Sequence, residues 1–203
     1  MMILWNRIDY SGKEWCQLRQ AAGRYILEGM VLLAYTGKPC HMEYVIQCDL
    51  SWQTQRVSIT GQIGRKAISC NLNTNSKRQW RLNGEQVPSV EGSVDVDLGF
   101  SPSTNLLPIK RLKLGIGEQA EVTAAWVEFP SMRVKPLTQV YLRSKANVYH
   151  YESAGGKFQR ELNVNENGLS QVTLGFGNSR PLFRQQLRIT NRCSCPLRGR
   201  LEH

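Results

Sequence analysis

The sequence predicts a mostly β protein, a closed or strongly curled many-stranded antiparallel sheet accompanied by one short helix. Three observations lead there. Turn signals recur at regular intervals and divide the chain into roughly ten or more short segments, most of them with apolar residues at every second position. A helical repeat stands out in one place, after Gly99, where Leu106, Ile109 and Leu112 are spaced along one side with Lys110 and Arg111 between them. No alternation of strands with helices is visible, and Gly115-Ile-Gly117 is too isolated to be a phosphate loop.

Taken in order, Leu4 to Ile8 and Trp15 to Arg19 read as strands joined by a turn at Ser11-Gly12. Arg24 to Leu33 is apolar enough for a buried strand pair or bend, with Gly29 as its bulge. Tyr44 to Leu50, Gln55 to Thr60 and Ala67 to Leu72 alternate clearly, and Gln79 to Leu82 ends at Asn83-Gly84, the signal of a two-residue hairpin. From Ser93 to Leu98 the residues Val94, Val96 and Leu98 share one face and Asp95 and Asp97 the other. Ser103, Thr104 or Asn105 can then cap a helix from Leu106 to Leu112, with Pro108 in its first turn. Beyond it, Glu121 to Phe129, Met132 to Leu137, Thr138 to Arg143 and Asn147 to Glu152 are strands separated by Pro130, Pro136 and a turn at Ser144 to Ala146. Gly155-Gly156 closes a hairpin into Phe158 to Val164.

Length and composition set the outer limits. A chain of 203 residues fits one β domain with a sizeable core. No stretch reaches the apolar length of a membrane span, and Met1 to Ile8 lacks the pattern of a secretory signal, so a cytoplasmic protein is expected. The cysteines at 16, 40, 48, 70, 193 and 195 are scattered, which favours reduced strand residues over a disulfide framework. Cys193-Ser-Cys195 does not have the spacing of a structural zinc pair, and neither metal nor cofactor is expected. The net charge of +10 is unevenly spread: from Ser170 onward six Arg and one Glu give +5, leaving +5 for the first 169 residues. Such a body has an ordinary solvated surface, and the Arg-rich end, with Phe183 as its aromatic, carries no nucleic-acid-binding motif.

The acids are the best candidates for chemistry. Asp95 and Asp97 lie about 7 Å apart along a strand, Asp49 precedes Trp52, Glu14 adjoins Trp15, and Glu152 follows Tyr149 and Tyr151. Carboxylates beside aromatic rings suit sugars, whose hydroxyls donate to the acids while their C–H faces lie on the rings. Asn105 and Arg111 stand across the turn from the acid pair; Arg111 either completes a polar ring around a ligand or neutralises the pair as a structural ion bridge. Tyr149 and Tyr151 form either an aromatic platform or cross-strand packing, with His150 on the other face. A carboxylate pair could also hydrolyse a glycoside, provided that its surroundings keep one carboxyl protonated.

The run Asp95-Val-Asp97-Leu, followed by Ser101-Pro-Ser-Thr104-Asn105-Leu-Leu-Pro108-Ile-Lys-Arg111-Leu112, closely resembles the signature of a bacterial glycolipid-binding family long catalogued as a domain of unknown function. Trp5, Glu14, Tyr44, Asp49 with Trp52, Asn83-Gly84, Tyr141-x-Arg143, Tyr149-x-Tyr151-Glu152 and Gly168-Leu169 agree with it, over about residues 3 to 169. The resemblance implies a β-roll or half-barrel wrapped around a single α-helix, usually a homodimer, with remote similarity to lipoprotein localization factors. It also implies an acidic pocket and a role in glycolipid metabolism. The expected function is therefore non-catalytic binding of a sugar-bearing lipid by Glu14, Asp49, Trp52, Asp95, Asp97, Asn105, Arg111, Tyr149, Tyr151 and Glu152, the alternative being a glycoside-processing enzyme.

Residues 1–169 form the expected domain. Past Leu169 the similarity stops short of the Tyr-Pro-Gly-aromatic ending of comparable members, and residues 170–203 finish in Leu201-Glu202-His203, which resembles the start of an expression tag. Val172 to Phe176 can be encoded so that another frame spells Tyr-Pro-Gly, and a frameshifted tail is the expectation.

Overall fold

A computed structural model describes residues 1–7 and 10–175. Two sheets make up the fold. The first is an eight-stranded meander in which each strand pairs antiparallel with the next: β1 (Met2–Asn6), β2 (Gly12–Ala21), β3 (Arg24–Tyr35), β4 (Lys38–Cys48), β5 (Thr54–Ile63), β6 (Lys66–Thr74), β7 (Trp80–Leu82) and β8 (Glu85–Gln86). The second, a curled half-barrel, holds β9 (Val96–Leu98), β10 (Gln119–Glu128), β11 (Arg133–Lys145), β12 (Val148–Ser153), β13 (Phe158–Val164) and β14 (Ser170–Gly175), also in chain order. Between β9 and β10 lies the short helix α1 (Leu106–Leu112), at the position expected, preceded by a 3-10 turn of Pro102–Asn105. None of the described helices is long and apolar enough to span a membrane.

Period-two patterning places the core. Along β4, Cys40, Met42, Tyr44, Ile46 and Cys48 all point inward. They meet Ile3, Trp5, Val57, Ile59 and Leu72 of the first sheet and Leu98, Ala125 and Val127 of the second in one apolar cluster between the sheets. Helix α1 contributes Leu106 and Leu107 to this cluster, whereas Ile109 joins a second one with Tyr141, Tyr149, Tyr151, Leu162 and Val164. The helix thus bridges two apolar clusters. The four described cysteines, Cys16, Cys40, Cys48 and Cys70, are buried free thiols on strands.

Four expectations need correction. Gly29 is no bulge: β3 runs unbroken through it, with Cys16 opposite on β2 and Tyr44 on β4. Its role is close approach, because a Cβ there would stand 2.5 Å from both the Trp15 carbonyl oxygen and the Tyr44 hydroxyl. Pro136 does not divide two strands but sits within β11, opposite Ala125. It is tolerated because the pairing of β12 with β11 reaches only Gln139↔Ser153, so Pro136 lies on an edge. The cap is also displaced. Ser101 accepts from the Ser103 N–H at the start of the 3-10 turn, and Asn105 makes no side-chain cap. Finally, β9 and β10 are parallel, which makes residues 99–118, with α1, a crossover connection among described strands that otherwise pair antiparallel. A three-residue strand leaves no βαβ rhythm in the sequence.

The Asn83-Gly84 hairpin forms as read, Leu82 opposite Glu85 with both turn residues at positive φ. Strand β14 pairs with β13, so the sheet continues past Leu169. The Arg-rich segment, Cys193, Cys195 and the ending attributed to a frameshift and tag lie outside the described residues.

The packing of Tyr44 over Gly29 generates a test. Gly29→Ala inserts a methyl group where three atoms already stand 2.5 Å away, and overpacking of this kind costs about 1–3 kcal/mol. Urea unfolding should show that loss, and an unchanged midpoint would contradict the packing.

Candidate functional site

The residues proposed from sequence do not gather in one acidic pocket. They divide among four places. Asp97, Asn105 and Tyr151 line a cavity of about 300 Å3 beside the N-terminal end of α1. Trp52, Arg111 and Tyr149 line a groove of about 890 Å3 at the other end of the helix. Glu14 and Asp95 are buried in polar contacts, and Asp49 and Glu152 belong to local turn and strand pairs.

In the cavity, Leu98, Trp126, Leu137, Phe158 and Leu162 provide apolar wall, and Asp97, Asn105, Tyr151, Ser153 and Arg160 the polar groups. These side chains converge because Asp97 leaves β9 opposite Trp126 of β10, while Tyr151 and Arg160 face one another across β12 and β13. A hydrogen-bonded chain fixes them. Gln139 Nε2 donates to Asp97 Oδ2 at 2.5 Å and to the Tyr151 hydroxyl at 3.0 Å, and the Tyr141 hydroxyl donates to Asn105 Oδ1 at 2.8 Å. No described residue donates to Asp97 Oδ1. Burial pushes the Asp97 carboxyl up to about 6, against the opposing effect of the Gln139 hydrogen bond. Burial also raises the Tyr151 hydroxyl and lowers the Arg160 guanidinium, which lies 4.3 Å above the Phe158 ring.

Asp95 resolves the choice posed for Arg111. Arg111 Nε and Nη2 bind its two oxygens at 3.1 and 2.5 Å, a bidentate bridge with Asp95 buried and Arg111 partly open to the groove. Desolvation raises the Asp95 carboxyl, and Arg111 opposes the rise. Glu14 lies between the sheets, where it accepts from the hydroxyls of Tyr44 (2.9 Å) and Ser101 and stands 3.9 Å from Arg7.

Asp49 Oδ1 accepts the N–H groups of Ser51 and Gln53, both at 2.9 Å, and so builds the turn that carries Trp52. Trp52 is itself left-handed (φ 63°) and stacks on Tyr25 with ring centres 3.9 Å apart. Glu152 shares the outer face of β12 with His150, which it meets at 2.8 Å, while Tyr149 and Tyr151 are buried on the inner face.

Sequence reasoning missed Gln139, Trp126, Phe158 and Arg160. Two of these carry a legible signal. Phe158, Arg160, Leu162 and Val164 share one face of β13, so Arg160 is a cation at an apolar register position, and Gln139 likewise shares a face with Tyr141.

A curled sheet that, together with the turn leading to α1, lines a cavity of mixed polar and apolar character has the form of a β-type ligand-binding protein. A profile of the family described as "Putative glycolipid-binding" matches residues 2–173, and the chain belongs to that family. The fold is similar to the crystal structure of a DUF1089 family protein from Pseudomonas aeruginosa, at 28% sequence identity and a TM-score of 0.73 over 85% of this chain and 92% of that one. No curated protein matches.

The buried bridge is testable by a double-mutant cycle. Arg111→Met should strand the Asp95 carboxylate at a cost of about 3–5 kcal/mol, and adding Asp95→Asn should restore most of it in guanidinium unfolding. A double variant no more stable than Arg111→Met would contradict the pairing.

Proposed function

We propose that the protein binds a sugar-bearing lipid without altering it, and that the sugar end enters the cavity beside Asp97. One observation carries the reading: an acid with a free oxygen, Asp97, sits among apolar and aromatic walls with its other oxygen fixed by Gln139. Sugar hydroxyls donate to such an acceptor, and C–H faces pack against Trp126 and Phe158. The cavity is at the small end of the usual ligand range, roughly 300–1,000 Å3. It suits a headgroup, with the acyl part outside. Membership of a family described by glycolipid binding supports the same class of ligand.

The glycosidase alternative draws on Asp97 alone. Its raised pKa suits a general acid, yet no second carboxylate lines the cavity among the described residues, and Asp95 is engaged with Arg111. Carboxylate-pair chemistry needs both partners, so binding is the better reading.

A curled sheet wrapped around α1, a cytoplasmic location and a homodimer belong to the same proposal. For the dimer, Met2, Leu4, Met30 and Leu32 on β1 and β3 are exposed apolar side chains whose cover a second copy would supply.

Asp97 gives opposite pH dependences for stability and binding. Its folded pKa of about 6 lies above the ordinary 3.8, so the folded state holds the proton more tightly than the unfolded state does. The stability it contributes is complete below about pH 4 and is lost as pH rises through about 6. Binding through an ionised acceptor instead strengthens over that window. Asp97→Asn should therefore flatten the stability profile between those values and weaken glycolipid binding at neutral pH by about 1–3 kcal/mol. Calorimetric titration with a short-chain glycolipid measures the second effect; unchanged affinity would remove the sugar from this cavity.

A further inference from the structure

The groove beyond the C-terminal end of α1 has no part in the binding proposed above. Its character is opposite. Lys110, Arg111 and Lys113 enter from the end of the helix and Arg143 from β11, with Glu166 the acid of the described lining. Arg111 is neutralised by Asp95, but Arg143 gives three of its five N–H donors to carbonyl oxygens, at 2.8 Å from Leu114 and at 3.2 and 2.6 Å from Ala146, which leaves its charge uncompensated and two donors for a ligand. Neither Lys110 nor Lys113 pairs with a carboxylate among the described residues. Three cations thus face one acid. A helix end attracts cations, but its dipole amounts to roughly half a charge, too little to account for all three.

The cations are also partly positioned. The stem of Lys110 rests against Gly168, where a Cβ would come within 3.1 Å of Lys110 Cε, and Arg143 is held by its carbonyl contacts with its guanidinium 5.8 Å from the centre of the Tyr149 ring. Opposite stands the stacked pair Tyr25 and Trp52, fixed on the Asp49 turn. At about 890 Å3 the groove is far larger than an inorganic anion requires.

We infer that this groove is a second binding site, for a phosphate ester of an organic molecule, with the phosphate on Lys110, Lys113 and Arg143 and the organic part along Tyr149, Trp52 and Tyr25. A phosphate is favoured over a single carboxylate because its several oxygens can engage cations converging from α1 and β11 at once. The ester is the headgroup of an anionic phospholipid or a soluble metabolite; either presents anionic phosphate oxygens to the same cations.

Two probes separate the sources: titration with glycerol 3-phosphate, and co-sedimentation with phosphatidylcholine vesicles with and without one-fifth phosphatidylglycerol. Saturable binding of the soluble ester assigns a metabolite, and retention by the phosphatidylglycerol vesicles alone assigns a headgroup. Either should fall at least tenfold in Lys110→Glu/Lys113→Glu and persist in Asp97→Asn, which separates this site from the sugar cavity. If the double variant fails to fold, Lys113→Glu, at an exposed position, replaces it with a smaller loss of the same sign. Failure of both probes to bind would overturn the inference. So would an equal loss in the charge-matched variant Arg65→Glu/Lys66→Glu, where the β5–β6 turn enters β6, since that would mean net charge alone.

Discussion

A buried carboxylate, Glu14, holds the two sheets in the relation that everything else requires. It reaches from β2 into the space between them and accepts from Tyr44 of the first sheet and from Ser101 in the turn that leads to α1. Arg7, 3.9 Å away, also donates to the Phe100 carbonyl at 2.5 Å, so both members of this buried ion pair grip the same turn. Such a pair contributes little net stability when compared with an apolar replacement, and losing one partner is costly. What it confers is position. Ser101 then caps the 3-10 turn, and that turn sets the start of α1.

Glycine makes this contact possible. Ile3, Cys16, Gly29, Tyr44, Ile59 and Cys70 lie directly across from one another on six strands, and the smallest member stands beside the largest. Tyr44 can lean over Gly29 toward Glu14, which lies two residues from Cys16, because no Cβ intervenes. From there the consequences run along the chain. The turn at Phe100–Ser103 fixes where the crossover leaves β9, α1 separates a small cavity from a larger groove, and Asp97 and Arg111 end up on different sides of it.

How far the sequence could be read follows from the range of the interactions concerned. Strand alternation and the Leu106–Leu112 helix are local patterns, and they were legible to within a few residues. The acids were not, since Asp95 and Asp97 look alike two residues apart. Their fates are decided by distant partners, Arg111 for one and Gln139 for the other. Glu14 and Glu152 each adjoin an aromatic residue in sequence, but one is buried against Tyr44 and Ser101 and the other pairs with His150 on an outer face. Adjacency along a strand puts neighbours on opposite faces, which is why acids beside aromatics were poor guides to a shared pocket. A cation at an inward register position, such as Arg160, was the better clue.

Native mass spectrometry of freshly purified protein reports whether the Asp97 cavity holds the sugar end of a lipid. The expected result is an adduct whose fragments include both a sugar and an acyl chain, retained by the wild type and depleted in Asp97→Asn. Adducts that contain no sugar, or a glycolipid adduct equally abundant in both proteins, would contradict it.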